Sequence, residues 1–365
     1  MRPVVDNEML EAAVRALQNE KLVLGESVFK FEEEFARFCG TRFAISTGSG
    51  TTALQIALQS LGIGYGDEVL TTPFSFFATS NAVIHAEATP RFADVEDGEF
   101  NLDPGKVEPC MTPRTRAIIP VHLYGTPAKM APLEEIAEER GIPLIEDACQ
   151  AHGAEYQEKR VGSIGEAGCF SFYTSKNMTV CGDGGMITTN NEELAEAARS
   201  FRDCGRSTKY TMARIGYTSR LNTVNAAIGR VQLKRLPEWN RKRQAIANLY
   251  RKELEGLEGI ILPPATRSGE TSVYHLFVIR SPLRDRLMGR LEANGVEAGI
   301  HYPTPIHLQG PYRNKFGYKE GDFPVSEKLA QEVLSLPLYT ELIEEEALDV
   351  VRIVRDTAHM EAKGS

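Results

Sequence analysis

No two cysteines in this 365-residue chain are spaced as CxxC. The six present (Cys39, Cys110, Cys149, Cys169, Cys181 and Cys204) are scattered, so neither a zinc ribbon nor a dithiol redox motif is spelled out, and no metal site is expected. Free, mostly buried thiols in a reducing cytoplasm are the expectation. No window is apolar enough for a membrane span, and the opening residues MRPVVDNEML carry no basic stretch leading into an apolar one, so neither a membrane anchor nor export is expected. In a cytoplasmic protein the sequon Asn177-Met178-Thr179 means little. Positive charge is also short: 41 Lys and Arg against 50 Asp and Glu leave a net charge of −9, which argues against nucleic acid or an anionic membrane as partner. Any phosphate has to be held locally. Internal repeats and low-complexity tracts are absent.

What remains is ordinary globular material, 42% hydrophobic and 25% charged, long enough for two domains and able to bury about three quarters of its unfolded surface. Helical and strand-like segments alternate through the first two thirds, which predicts an α/β fold with a sheet covered by helices. Helices are expected over 29–38, closed by Gly40, and over 51–61, 133–140 and 192–202; strands over 68–70, 91–95, 117–121, 143–145, 169–173 and 186–189. A long helical pattern follows from 223 to about 257, broken at Pro237. A strand over 273–279 and helices over 283–294 and 327–334 then suggest a smaller α+β domain. The division is placed between residues 1–240 and 241–365.

Three stretches have the composition of chemistry. Gly48-Ser49-Gly50 opens a helix, where unpartnered N–H groups and the helix dipole favour a phosphate, although a Ser/Thr run in that place also serves as a plain N-cap. Residues 144–153, Leu-Ile-Glu-Asp-Ala-Cys-Gln-Ala-His-Gly, put two carboxylates, an amide and an imidazole just past an apolar strand, where open α/β sheets place ligands. A polar loop with buried side chains reads the same way, and His152 alone is more often structural. The third is Ser171-Phe172-Tyr173-Thr174-Ser175-Lys176-Asn177, followed by Gly182-Asp183-Gly184-Gly185. A lysine at the end of an apolar strand, between hydroxyls and a glycine turn, is oddly placed for a solvated surface cation.

Together these residues resemble the DegT/DnrJ/StrS family of sugar aminotransferases. The likeness runs nearly the whole chain, through Ser49-Gly50-Thr51, Gly66-Asp67-Glu68-Val69, the 72–79 stretch Thr-Pro-Phe-Ser-Phe-Phe-Ala-Thr, Pro120-Val121-His122-Leu123-Tyr124-Gly125, the 146–153 stretch, Lys176, Gly182-Asp183-Gly184-Gly185, His301-Tyr302-Pro303 with His307, and Leu336-Pro337-Leu338-Tyr339. It implies the type I fold of pyridoxal-phosphate (PLP) transferases: a large domain with a mostly parallel mixed sheet between helices, plus a smaller C-terminal α+β domain. Carried over by residue, Lys176 forms the imine with the cofactor, Asp147 pairs with the pyridine nitrogen, Gln150 approaches the ring hydroxyl and Phe76 stacks on the ring. Gly50, Thr51, Thr52 and Ser171 surround the phosphate. The family's second subunit normally adds an Asn within Gly-Tyr-Asn-x-Arg-Leu; here the stretch is Gly216-Tyr217-Thr218-Ser219-Arg220-Leu221, so Thr218 takes that place with a hydroxyl. The resemblance also implies a homodimer with active sites at its interface, and puts Arg220, His301, Tyr302 and His307 near the substrate.

These residue types suit the chemistry. The cofactor withdraws electrons only while its ring nitrogen is protonated, and a carboxylate about 3 Å away at an effective dielectric of 20 favours that proton by about 5 kcal/mol before desolvation. Half of that is about two pKa units. Only a primary amine can both form the imine and then move protons; Arg stays charged, and His cannot form it. The implied reaction is ping-pong transfer of an amino group from L-glutamate to a keto group of a nucleotide-linked sugar (dTDP or UDP). A lysine-bearing sugar dehydratase or deoxygenase, or a regulatory homologue without catalysis, is the alternative.

Overall fold

The structure is a computed structural model that describes residues 4–362. The outermost residues of both expected domains, 1–3 and 363–365, lie outside it. The first part runs α1 (Asn7–Asn19), α2 (Glu26–Cys39), β1 (Phe43–Thr47), α3 (Gly50–Ser60), β2 (Glu68–Thr71), α4 (Ala78–His85), β3 (Thr89–Phe92), α5 (Pro104–Cys110), β4 (Thr115–Ile118), α6 (Met130–Arg140) and β5 (Ile145–Asp147). A small ribbon, β6 (Glu155–Tyr156) and β7 (Lys159–Arg160), leads to β8 (Ala167–Ser171), β9 (Gly185–Thr189), α7 (Glu192–Arg202) and the long α8 (Thr223–Leu254). Then come β10 (Glu270–Thr271), β11 (Phe277–Arg280), α9 (Arg284–Ala293), α10 (Gly310–Phe316), α11 (Pro324–Glu332), β12 (Val333–Leu336) and α12 (Glu344–Ala362).

Two sheets, β1-β9-β8-β5 and β3-β2-β4, are joined by parallel bridges from Ile118 to Leu144 and from Val121 to Asp147. The result is one mixed sheet in the order β1-β9-β8-β5-β4-β2-β3. Only β9 runs against the others, pairing antiparallel with β1 and β8. Helices cover both faces, as parallel strands require. One apolar layer packs α3, α4 and α7 on the sheet through Leu54, Ile56, Leu58, Val83 and Ala198. The other packs α2 and α8 through Phe31, Phe35, Phe170, Phe172 and Leu236. A third cluster, built from Tyr250, Phe277, Ile279, Leu287, Leu334 and Val354, fills the C-terminal part around the β11–β12 pair.

The elements differ from expectation in several places, and α4, α5, α10, α12 and β1 lie outside the expected spans. Helix α1, not foreseen, is capped by Asp6, whose carboxylate accepts the Met9 N–H at 3.1 Å. Pro237 does not break α8, because Leu233, Leu236 and Trp239 around it are buried and the packing of that face outweighs the missing N–H. The 327–334 segment splits: α11 ends at Glu332, and Val333–Leu336 pairs antiparallel with Phe277–Arg280. All six cysteines are free, but only Cys39 and Cys169 are buried, and Cys181 is exposed. Among the described residues no helix is long and apolar enough to cross a membrane.

Candidate active site

The co-directional strands end on one edge of the sheet, and the candidate residues gather there. Asp147 closes β5 and Ser171 closes β8. Lys176 follows through a turn in which its N–H donates to the Tyr173 carbonyl at 2.9 Å. Phe76 stands between β2 and α4, and Gly50, Thr51 and Thr52 open α3.

The pleat of β5 separates the two adjacent carboxylates, since successive residues face opposite sides of a sheet. Glu146 is fully buried and serves as an anchor: it accepts from His122 Nε2 at 2.9 Å and from the N–H groups of Gly162, Ile164 and Gly165 at 2.7, 2.8 and 2.8 Å. Asp147 is left for the site. Its Oδ2 accepts the Thr79 hydroxyl at 2.7 Å and its Oδ1 the Cys149 N–H at 3.2 Å. Burial pushes the Lys176 ammonium below the ordinary lysine range, while neighbouring Cys149 and Asp147 oppose that fall. Burial, reinforced by the Lys176 charge, also holds the imidazoles of His152, His275 and His301 below their usual range, His152 at about 3. His152 packs between the rings of Phe170 and Phe172, a structural place.

Gln150 has a fixed amide orientation because its Oε1 accepts the Tyr124 N–H at 2.9 Å; its Nε2 then faces the Tyr302 hydroxyl at 3.2 Å. Phe76 is about half exposed and lies 5.9 Å from the Tyr302 ring. Ser49 caps α3 in a reciprocal box with Thr52, whose hydroxyl also accepts from Ser219 at 2.9 Å; the Ser219 oxygen accepts the Gly48 N–H at 3.1 Å. The helix start is pressed against the strand ends. A Cβ on Gly50 would lie 2.7 Å from both Cys149 Sγ and Ser171 Cβ, and one on Gly185 would lie 2.3 Å from the Ser49 carbonyl oxygen. Thr51 stays half-buried with its N–H in the first turn, where no intrahelical acceptor exists.

The remaining candidates divide. His301 hydrogen-bonds Ser335 through Nδ1 at 2.8 Å and accepts the Tyr124 hydroxyl on its carbonyl, beside the lysine. Thr218 is exposed, with Cys204 Sγ 3.4 Å from its hydroxyl. Arg220 is ion-paired to Asp203 at 2.6 Å, and His307 is fully buried with Nε2 on Glu327 at 2.9 Å. The structure therefore gives each of those two a local carboxylate partner. Asn177 is buried, its Nδ2 donating to Asn240 and Val273 at 3.1 and 3.0 Å, so the sequon is closed off. Sequence reasoning assigned no role to Thr79, Ser219 or His275. Thr79 closes the 72–79 stretch that carries the family likeness, and Ser219 lies between Thr218 and Arg220; those places are their signal.

A model of the DegT/DnrJ/EryC1/StrS aminotransferase family, compared with the chain, matches residues 3–355. The chain belongs to that family. The aminotransferase is 42% identical over 347 residues to a Streptomyces venezuelae protein named dTDP-3-amino-3,4,6-trideoxy-alpha-D-glucose transaminase, covering 95% of this chain and 91% of the relative. It is also 42% identical over 350 residues to a pleiotropic regulatory protein of Geobacillus stearothermophilus, covering 96% and 94%. The crystal structure of S. venezuelae DesV in complex with a ketimine intermediate superimposes with a TM-score of 0.94 at 42% identity, over 96% of this chain and 94% of that one. The expected fold, a mostly parallel mixed sheet between helices with a C-terminal α+β part, is the fold found.

Proposed function

We propose that this aminotransferase moves an amino group from L-glutamate to a keto group of a nucleotide-linked sugar, carried by dTDP or UDP, with pyridoxal 5'-phosphate as cofactor. The product is an amino sugar for glycan or natural-product synthesis. The observation that carries the proposal is the shared strand edge of Lys176 and Asp147, where burial lowers the lysine's proton affinity against the opposing pull of Asp147 and Cys149. The named activity of the Streptomyces relative supports the sugar as substrate.

The donor set fits the cofactor part by part. A primary amine with lowered proton affinity meets an aldehyde, and a buried carboxylate with a fixed plane meets a ring nitrogen. An exposed aromatic face at Phe76 meets the ring, and a glycine-lined helix start meets a phosphate. When bound, pyridoxal phosphate supplies an electron sink that lets an amino group change carbon partners. Lys176 anchors it and, once freed, takes and returns a proton at Nζ; its lowered affinity favours the neutral amine that does this. Asp147 holds a proton on the ring nitrogen, and Gln150 directs Nε2 to the ring hydroxyl. Gly50, Thr51, Thr52 and Ser171 hold the phosphate, with Thr218 reaching the second subunit's site in a cytoplasmic homodimer. His301, Tyr302, Arg220 and His307 face the sugar or its diphosphate, Arg220 and His307 while paired with Asp203 and Glu327. The division at 240/241 belongs to the same proposal, with α8 as the strut that crosses it.

The test is a panel of nucleotide 3-keto and 4-keto sugars with glutamate and the reconstituted enzyme. One 2-oxoglutarate per amino sugar is expected, and elimination without glutamate consumption would favour a dehydratase. Lys176→Ala should lose turnover and the visible absorbance that the wild type acquires with the cofactor. A variant that keeps both, or a wild type that never gains colour, refutes the assignment.

A further inference from the structure

The side chain of an aspartate turns freely about its last torsion, so a carboxylate aims a lone pair only when both oxygens are held. On Asp147 one oxygen is held by the backbone, through the Cys149 N–H, and the other by the Thr79 hydroxyl at 2.7 Å. Thr79 is buried, and its single hydroxyl proton goes to the carboxylate, so in its 3.1 Å contact with Ser75 the serine is the donor. The chain of donors is thus Ser75 to Thr79 to Asp147. Thr79 also lies in the first turn of α4, and its N–H donates to the Phe76 carbonyl at 3.2 Å. One turn of chain therefore ties the aromatic ring at 76 to the carboxylate at 147.

We infer that Thr79, backed by Ser75, is a positioning residue that fixes the plane of the Asp147 carboxylate and its separation from Phe76, so that a pyridinium N–H meets an aimed acceptor. The inference rests on the proposed pyridoxal-phosphate site.

Its test compares wild type with Thr79→Val, which keeps shape and removes the hydroxyl, Thr79→Ser, which keeps the hydroxyl, and Ser75→Ala. Cofactor affinity is measured by equilibrium dialysis and the bound cofactor's absorption by spectrophotometric pH titration, with kcat and KM alongside. A hydrogen bond to an ionised group is worth about one to two orders of magnitude in affinity. Thr79→Val should weaken pyridoxal-phosphate binding about tenfold or more, move the absorbance midpoint and lower kcat at nearly constant KM for glutamate. Thr79→Ser should stay within about threefold of wild type, and Ser75→Ala should weaken binding about threefold. Thr79→Val matching wild type in affinity and spectrum overturns the inference, as does Thr79→Ser failing equally. Should Thr79→Val not fold, an unchanged Ser75→Ala overturns it. A wild type that binds no cofactor ends the proposed function and this inference together; a wild type that binds it beside an equal Thr79→Val ends this inference alone.

Discussion

Replacing Glu146 with glutamine tests whether the carboxylate beside Asp147 is an anchor or a reagent. Its Oε1 accepts the N–H groups of Ile164 and Gly165, and its Oε2 accepts from Gly162 and from His122 Nε2, so four donors converge on two oxygens. A glutamine offers one oxygen and one NH2 group. If the oxygen keeps Ile164 and Gly165, the NH2 faces the Gly162 N–H and the imidazole. The other tautomer of His122 gives no escape, because Nδ1 already accepts the Ala128 N–H at 3.0 Å and a hydrogen there would oppose it. Each orphaned buried donor costs about 1–3 kcal/mol, so two of them, plus weaker bonds for the remaining pair, come to about 3–6 kcal/mol. Against a typical total of about 5–15 kcal/mol that is a large loss. Urea unfolding of wild type and Glu146→Gln, followed by far-ultraviolet circular dichroism at pH 7, measures it. A difference below about 1 kcal/mol would mean that the donors find water or a new acceptor, and the anchor reading fails.

Two further outcomes follow from the same geometry. Gly50→Ala forces a Cβ to 2.7 Å from Cys149 Sγ and Ser171 Cβ, so α3 has to back away from the strand ends; a loss of about 1–3 kcal/mol in stability and weaker pyridoxal-phosphate binding by dialysis are expected, and unchanged binding would separate that helix from the phosphate. Because burial and Lys176 hold His152 at about 3, the folded protein refuses a proton that the unfolded chain accepts, so stability is complete above about pH 6.5 and falls toward pH 3 by about 1.4 kcal/mol per pH unit for this residue. His152→Leu should flatten that decline in urea melts at pH 7, 6 and 5, and an unaltered slope would refute the assignment.

Much of the fold could be read from the chain because local signals agreed with the packing. Helix α7 occupies the expected 192–202, with Asn191 capping Leu194 at 3.1 Å and acidic and basic residues in its first and last turns. Strand ends shifted, as with Ile145–Asp147 against the expected 143–145, because the strand runs on past the apolar residues into Glu146 and Asp147, two carboxylates that are buried with hydrogen-bond partners. Helix α1 was readable, since Leu10, Ala13, Val14 and Leu17 repeat at helical spacing behind the Asp6 cap, yet that stripe is largely exposed and the buried residues are Met9 and Ala16. Val333–Leu336 suits helix or strand equally, and the pairing with Phe277–Arg280 decides it.

The site was legible in kind but not in contact. A lysine, two carboxylates and an amide can be named from the sequence; which carboxylate faces the lysine depends on the pleat of β5, which spends Glu146 on His122 and the 162–165 backbone and leaves Asp147 at the edge. The bonds that hold the site join distant positions: Thr79 to Asp147 across 68 residues and Ser219 to Thr52 across 167, separations that no local pattern encodes. The same distance effect holds for Arg220 and His307, whose chemistry suits a diphosphate or a sugar hydroxyl and which each also pair with a carboxylate, Asp203 and Glu327. A charged or polar side chain near a ligand-binding motif is therefore weak evidence of contact until its own partners are known. A lysine whose loss of proton affinity on burial is opposed by a neighbouring carboxylate and thiol is stronger, because folding alone gives no reason to place it there.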